Sequence, residues 1–122
     1  MTEARRKKVA VIEDDDGVRH SLRFLLEIVG HVVEEFASVA AFLKAEIDEM
    51  ACVIADHNMP HMTGLELVER LRANGIGIPV LLVTAALSPV IVARAAELGV
   101  ERVLEKPPDE QALLDFISST MS

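Results

Sequence analysis

The chain has 122 residues, carries 12 Lys and Arg against 20 Asp and Glu for a net charge of −8, and is 51% hydrophobic. That length suits one domain with a core large enough to hold without staples, the acidic balance argues against sequence-independent nucleic-acid binding, and the lone cysteine, Cys52, leaves no internal disulfide to form. No apolar run is long enough to span a bilayer, and too few apolar residues follow the basic start for a signal peptide, so a cytoplasmic, reducing setting is expected.

In chain order, Arg5-Arg6-Lys7-Lys8 reads as a solvated tail that leads into a first strand over 9–12. This strand is apolar at every position and so is expected to be buried on both faces. The acids Glu13, Asp14, Asp15 and Asp16 follow it at once, with Asp16 the expected cap of the first helix. Val18, Leu22, Leu25, Leu26 and Val29 recur at helical spacing, and Gly30 is the stop. A second strand is predicted over 31–36, a second helix over 40–49 capped by Ser38, and a third strand over 52–55 that ends at Asp56 and contains Cys52 as a small buried hydrophobe. A third helix spans 64–73 and a fourth strand 79–83, ending at Thr84. Ser88-Pro89 signals the start of a fourth helix, which stops at Gly99. A fifth strand over 101–104 ends near Lys106-Pro107-Pro108, and a last helix covers 109–119.

Alternation of five strands and five helices implies a doubly wound, five-stranded parallel sheet, one domain over 1–122, and the flavodoxin-like order 2-1-3-4-5 is the one expected for it. In such sheets ligands bind beyond the carboxyl ends of the strands, where the order reverses. Glu13, Asp14 and Asp56 would share that crevice, with Thr84 and Lys106 at the neighbouring strand ends. Three ionised carboxylates together need a cation. Hard oxygen donors without clustered His or Cys favour Mg²⁺, with Mn²⁺ and Ca²⁺ as alternatives. A metal, a lysine, a hydroxyl and a carboxylate together suit a phosphoryl group on an oxygen nucleophile. Singly, Thr84 reads as an ordinary strand end and Lys106 as a surface lysine; the convergence of four strand ends carries the functional reading.

These residues resemble the receiver domain of two-component response regulators over essentially the whole chain. An acidic pair, Glu13-Asp14, follows the first strand with Arg19 five residues on. The segment "DHNMPHMTG" matches the family's Asp-x-x-Met-Pro-x-Met-x-Gly pattern, "VTA" places Thr84 at its hydroxyl position, and "EKP" sets Lys106 before a proline. The resemblance implies that Asp56 accepts a phosphoryl group from a sensor histidine kinase. It further implies that Glu13, Asp14, Asp56 and the backbone carbonyl of Asn58 hold Mg²⁺, that Thr84 and Lys106 bind the phosphoryl oxygens, and that Lys106-Pro107 is cis.

This sequence departs from the family's pattern in three places. The acidic pair is Glu-Asp rather than Asp-Asp. The aromatic switch position, three before the lysine, holds Val103, too small and too stiff for an inward aromatic swing. Pro108 replaces a bulky residue after Lys-Pro. His57 reads as a solvent-facing loop histidine, His61 as plain loop, and Gly64 as easing the turn into the third helix.

The same residues bear on other functions. An aspartyl-phosphate phosphatase needs a general acid two residues after the nucleophile, and that position is Asn58, so the chain is expected to be a switch with slow self-dephosphorylation and not an enzyme. A nucleotide or flavin binder would not set "EDDDG" where it must cradle phosphate. A receiver-like module that binds a partner without phosphorylation is opposed by the complete acid, Asp, Thr and Lys set. A downstream effector or output domain is expected outside these residues, whether the receiver stands alone or was cut from a longer chain. The fourth helix, "SPVIVARAAELG", must turn some of Val90, Ile91, Val92 and Ala93 outward, which suggests a partner or homodimer surface on the fourth helix, fifth strand and fifth helix.

Overall fold

The computed structural model describes residues 8–121. Of the amino-terminal basic cluster, Arg5, Arg6 and Lys7 lie outside the described residues, as does the last serine of the "SSTMS" end. Five parallel strands, β1 (Lys8–Ile12), β2 (Val32–Phe36), β3 (Met50–Asp56), β4 (Val80–Thr84) and β5 (Arg102–Glu105), form one sheet in the order β2-β1-β3-β4-β5. The helices α1 (Asp16–Ile28), α2 (Val39–Leu43), α3 (Gly64–Ala73), α4 (Pro89–Glu97) and α5 (Glu110–Met121) alternate with them. This is the expected doubly wound architecture.

Successive strand residues point to opposite faces, and each face is covered. Ala10, Ile12, Val53, Ala55, Val80 and Leu82 pack with residues of α2, α3 and α4, including Phe42, Leu67, Val68 and Leu71. On the other face, Val9, Val11, Ile54, Leu81 and Val83 pack with Leu26 of α1 and Leu113, Phe116 and Ile117 of α5. Cys52 lies in this second layer, and burial pushes its thiol up to about 11, which leaves it a neutral hydrophobe. Two-sided coverage is why the three central strands, β1, β3 and β4, read as largely continuous apolar runs, while the edge strands β2 and β5 carry charges.

Four local expectations are corrected. Asp15, not Asp16, caps α1: its Oδ1 accepts the Val18 N–H at 2.9 Å, while Asp16 is the first helical residue and pairs with Arg19. The second helix ends at Leu43 and a 3₁₀ turn covers Ile47–Glu49, because β3 starts at Met50 and the chain must first reverse. His31 is not in β2. Its N–H closes the end of α1 on the Leu26 carbonyl at 3.1 Å, beside Gly30 in the left-handed region at φ 99°. Asp109 precedes α5 as its cap, accepting the Ala112 N–H at 2.9 Å. Val18 and Val29 are each 48% exposed, so only part of the α1 periodicity reports the core. Gly99 ends α4 as expected, at φ 72°.

Candidate functional site

Glu13 leaves the carboxyl end of β1 with its N–H donating to the Phe36 carbonyl at 3.0 Å. Its side chain is buried, and Oε2 accepts the Asp15 N–H at 3.1 Å. Asp14 is exposed beside it. Behind the loop sits Arg19, itself buried. Its Nη1 donates to the Glu13 carbonyl at 2.8 Å, its Nη2 to Asp16 Oδ1 at 2.7 Å and its Nε to Glu35 Oε1 at 3.0 Å.

Asp56 ends β3, the neighbour of β1, and is 4% exposed. One oxygen from each of Glu13, Asp14 and Asp56 lies within 4.8 Å of the others. Three hard oxygen donors this close, with Asp14 open to solvent, fit a Mg²⁺- or Mn²⁺-type cation that keeps several of its waters. The Lys106 Nζ lies 3.1 Å from Asp56 Oδ1 and 3.6 Å from Glu13 Oε1. Burial opposes the charge of Lys106, but the hydrogen bond to Asp56 and the fields of Asp56 and Glu13 hold its pKa above the usual lysine value. Glu13 goes the other way for a carboxyl. Burial, aided by the field of Asp56 and opposed by the Asp15 N–H and by Lys106, pushes it up to about 7.

Thr84 ends β4 and is fully buried. Its hydroxyl donates to Asn58 Oδ1 at 3.2 Å, and the same oxygen accepts the Ala85 N–H at 2.7 Å. The Asn58 N–H in turn donates to Asp56 Oδ1 at 3.0 Å. By sequence Asn58 offers its backbone carbonyl and a side chain that is no acid; in the structure that side chain bridges the β3–α3 and β4–α4 loops. Lys106 follows β5 with its N–H on the Thr84 carbonyl at 2.9 Å, and the Lys106–Pro107 peptide is cis. Val103 pairs with Leu82 across β4 and β5 and packs, half-buried, against the α3 and α4 layer.

His57 is not a free loop residue. It is half-buried, and its Nδ1 accepts the Leu65 N–H at 3.4 Å at the start of α3. Gly64 does more than ease a turn: a Cβ there would meet Leu82 Cδ2 at 2.8 Å and the Asp56 carbonyl oxygen at 3.0 Å. Only glycine lets α3 start this close to the end of β3. Beside the carboxylates a cavity of about 340 Å³ opens between Val18 and Leu22 of α1 and Pro107 and Pro108, floored by β1, β3 and β4.

The family model for the response regulator receiver domain matches residues 9–118. Transcriptional regulatory protein FixJ of Azorhizobium caulinodans is 39% identical over 93% of this chain, and the match spans 54% of that protein. FixJ of Bradyrhizobium diazoefficiens is 35% identical over 93% of this chain and 56% of its own length. The chain therefore spans about half the length of these relatives. Among solved structures, FixJ-N superposes with a TM-score of 0.84 at 28% identity, covering 94% of this chain and 93% of that one. The response regulator StyR gives 0.84 at 38% identity, over 94% of this chain and 59% of that one.

Proposed function

The chain belongs to the response regulator receiver domain family, and from that premise we propose that it is a phosphorylation switch with Asp56 as its phosphoacceptor. The observation that carries this reading is the buried Asp56 carboxylate at the sheet's switch point, grouped with Glu13 and Asp14 and faced by the Lys106 ammonium at 3.1 Å.

In this reading an Asp56 oxygen attacks the phosphorus of a phosphohistidine on a sensor kinase. The P–O bond forms as the P–N bond breaks, and the imidazole leaves with the bond's electrons. Glu13, Asp14, Asp56 and the backbone carbonyl of Asn58 would hold Mg²⁺, which would supply charge neutralisation for the phosphoryl oxygens. Mn²⁺ meets the same donor set. Lys106, already at Asp56, pairs with one phosphoryl oxygen. The Thr84 hydroxyl hydrogen-bonds another after it leaves Asn58 Oδ1. Val103, at the switch position, has no aromatic ring to swing inward. Asn58 has no proton to give as an acid, so turnover of external phosphate esters is not expected, and water hydrolyses the acyl phosphate slowly.

The kinase docks over α1 and the cavity against Pro107 and Pro108, which brings an apolar surface to within reach of Asp56. The response is read at α4, β5 and α5, by an effector, an output domain or a second copy. Val90 is 78% exposed there, with Leu87 and Val92 also open. No described helix is long and apolar enough to cross a membrane, and a cytoplasmic setting suits the kinase.

Intact mass after incubation with a small phosphodonor tests the reading. A Mg²⁺-dependent phosphoryl adduct on the wild type, absent from Asp56→Asn and lost with time, is the expected result. No adduct on folded, Mg²⁺-loaded protein with either a small donor or a sensor kinase overturns it.

A further inference from the structure

Arg19 is used by nothing in the chemistry above, yet it is 8% exposed and spends its guanidinium on three partners from three parts of the chain. One is the carbonyl of Glu13, the residue whose carboxylate lies in the site. The second is Asp16, at the start of α1. The third is Glu35, near the end of β2, which Arg23 Nη1 also holds at 2.7 Å. The acid run from Glu13 to Asp16 repels itself and would relax by opening the β1–α1 loop. Arg19 closes that loop from behind. It brings a permanent positive charge without offering a ligand atom, and its rigid fork can address several acceptors where a lysine addresses a point.

We propose that Arg19 is a positioning residue for divalent-cation binding: it fixes Glu13 and Asp14 at the spacing the cation needs. The inference rests on the metal-dependent reading of Asp56. Glu13 is then held at three points: its N–H on Phe36, its carbonyl on Arg19 and its Oε2 on Asp15. Groups of this kind, which orient metal ligands without touching the metal, typically change affinity by about 10–100-fold when removed.

The test is calorimetric titration with MgCl₂ alone, on the wild type, Arg19→Gln, Arg19→Lys, Glu35→Gln and Arg23→Gln. Arg19→Gln is expected to bind Mg²⁺ roughly tenfold more weakly, and Arg19→Lys to recover little, because a single ammonium cannot span three acceptors. Glu35→Gln should show a smaller loss in the same direction and carries the test if Arg19→Gln does not fold. Arg23→Gln shares Glu35 and the same helix but does not touch Glu13, so its Mg²⁺ affinity should equal the wild type's. Adduct formation in Arg19→Gln should recover at saturating Mg²⁺, since Arg19 meets no reacting atom. Unchanged affinity in folded Arg19→Gln or Glu35→Gln, full rescue by lysine, or equal loss in Arg23→Gln overturns the inference. A wild type that binds no Mg²⁺ instead overturns the metal-dependent reading beneath it.

Discussion

The helices α3 and α4 follow adjacent strands and cover the same face of the sheet, but they are held to it very differently. α3 follows Asp56 and buries Gly64, Leu65, Leu67, Val68 and Leu71. Its start is fixed by a capping box between Thr63 and Glu66 and by Gly64 against β3. α4 follows Thr84 and buries only Ala95. Its outward side is mostly aliphatic, and Arg94 ties it to Glu69 of α3 through exposed ion pairs worth little. In the proposed reading, the half of the crevice that would hold an acceptor and a cation in register is anchored deeply. The half that would answer a new phosphoryl group is anchored lightly and is cheap to move.

Four experiments can break or sharpen this contrast. The largest expected effect is Leu71→Ala in α3, which empties a site 1% exposed and should cost about 2–5 kcal/mol in denaturant unfolding. A cost comparable to that of truncating an α4 valine would break the contrast. The next acts on the cation end of the anchored half. Glu13 is pushed up to about 7 from 4.5, so between those values the folded, metal-free protein binds more protons than the unfolded chain. The contribution of Glu13 to stability should therefore fall as pH rises from about 4.5 to about 7, by on the order of 3 kcal/mol. Glu13→Gln should flatten that slope, and Mg²⁺ should restore stability at pH 8; urea midpoints with chelator and with MgCl₂ check both. Third, Gly64→Ala forces a methyl against Leu82 and the Asp56 backbone, and should lower stability by about 1–3 kcal/mol and slow adduct formation. Smallest is Val90→Ser on the open face of α4, expected to change stability by less than about 0.5 kcal/mol. Amide exchange should nonetheless be faster in α4 than in α3, and of these two helices α4, with β5 and α5, should change on phosphorylation.

The strand ends were the legible part of the sequence, because a buried parallel strand must be apolar throughout and its first polar residue marks the crevice. Glu13, Asp56 and Thr84 stand out that way, whereas Lys106 follows Glu105 at the end of the half-exposed β5 and stood out through its place before a proline. Gly64 stood in the motif, but the close approach that demands glycine exists only once Leu82 of the next strand is in place. The side-chain roles of Asn58 and Arg19 depend on partners 26 or 27 and 16 residues away, and no local pattern encodes such pairs. Asp15 and Asp16 are chemically near-equivalent caps, and they differ by a single residue in where the helix starts. Val18 fits the helical stripe of α1 as well as Leu26 does, but it faces the cavity beside Pro107 and Pro108 instead of a packed neighbour.

Lys106 gives the crevice a definite charge balance. With Glu13, Asp14 and Asp56 ionised and Lys106 protonated between two of them, the crevice carries a formal charge that one divalent cation cancels. Conversion of Asp56 to an acyl phosphate replaces one negative charge by nearly two, so the loaded site gains about one uncompensated negative charge in a poorly solvated place. Among the described residues, no further Lys or Arg follows directly at the carboxyl ends of β3 and β4 to meet it. What stands there are the neutral donors that Asn58 Oδ1 now occupies, the Thr84 hydroxyl and the Ala85 N–H. In the proposed reading that single unit of charge is the signal, and its first effect is to contest a carboxamide for two hydrogen bonds.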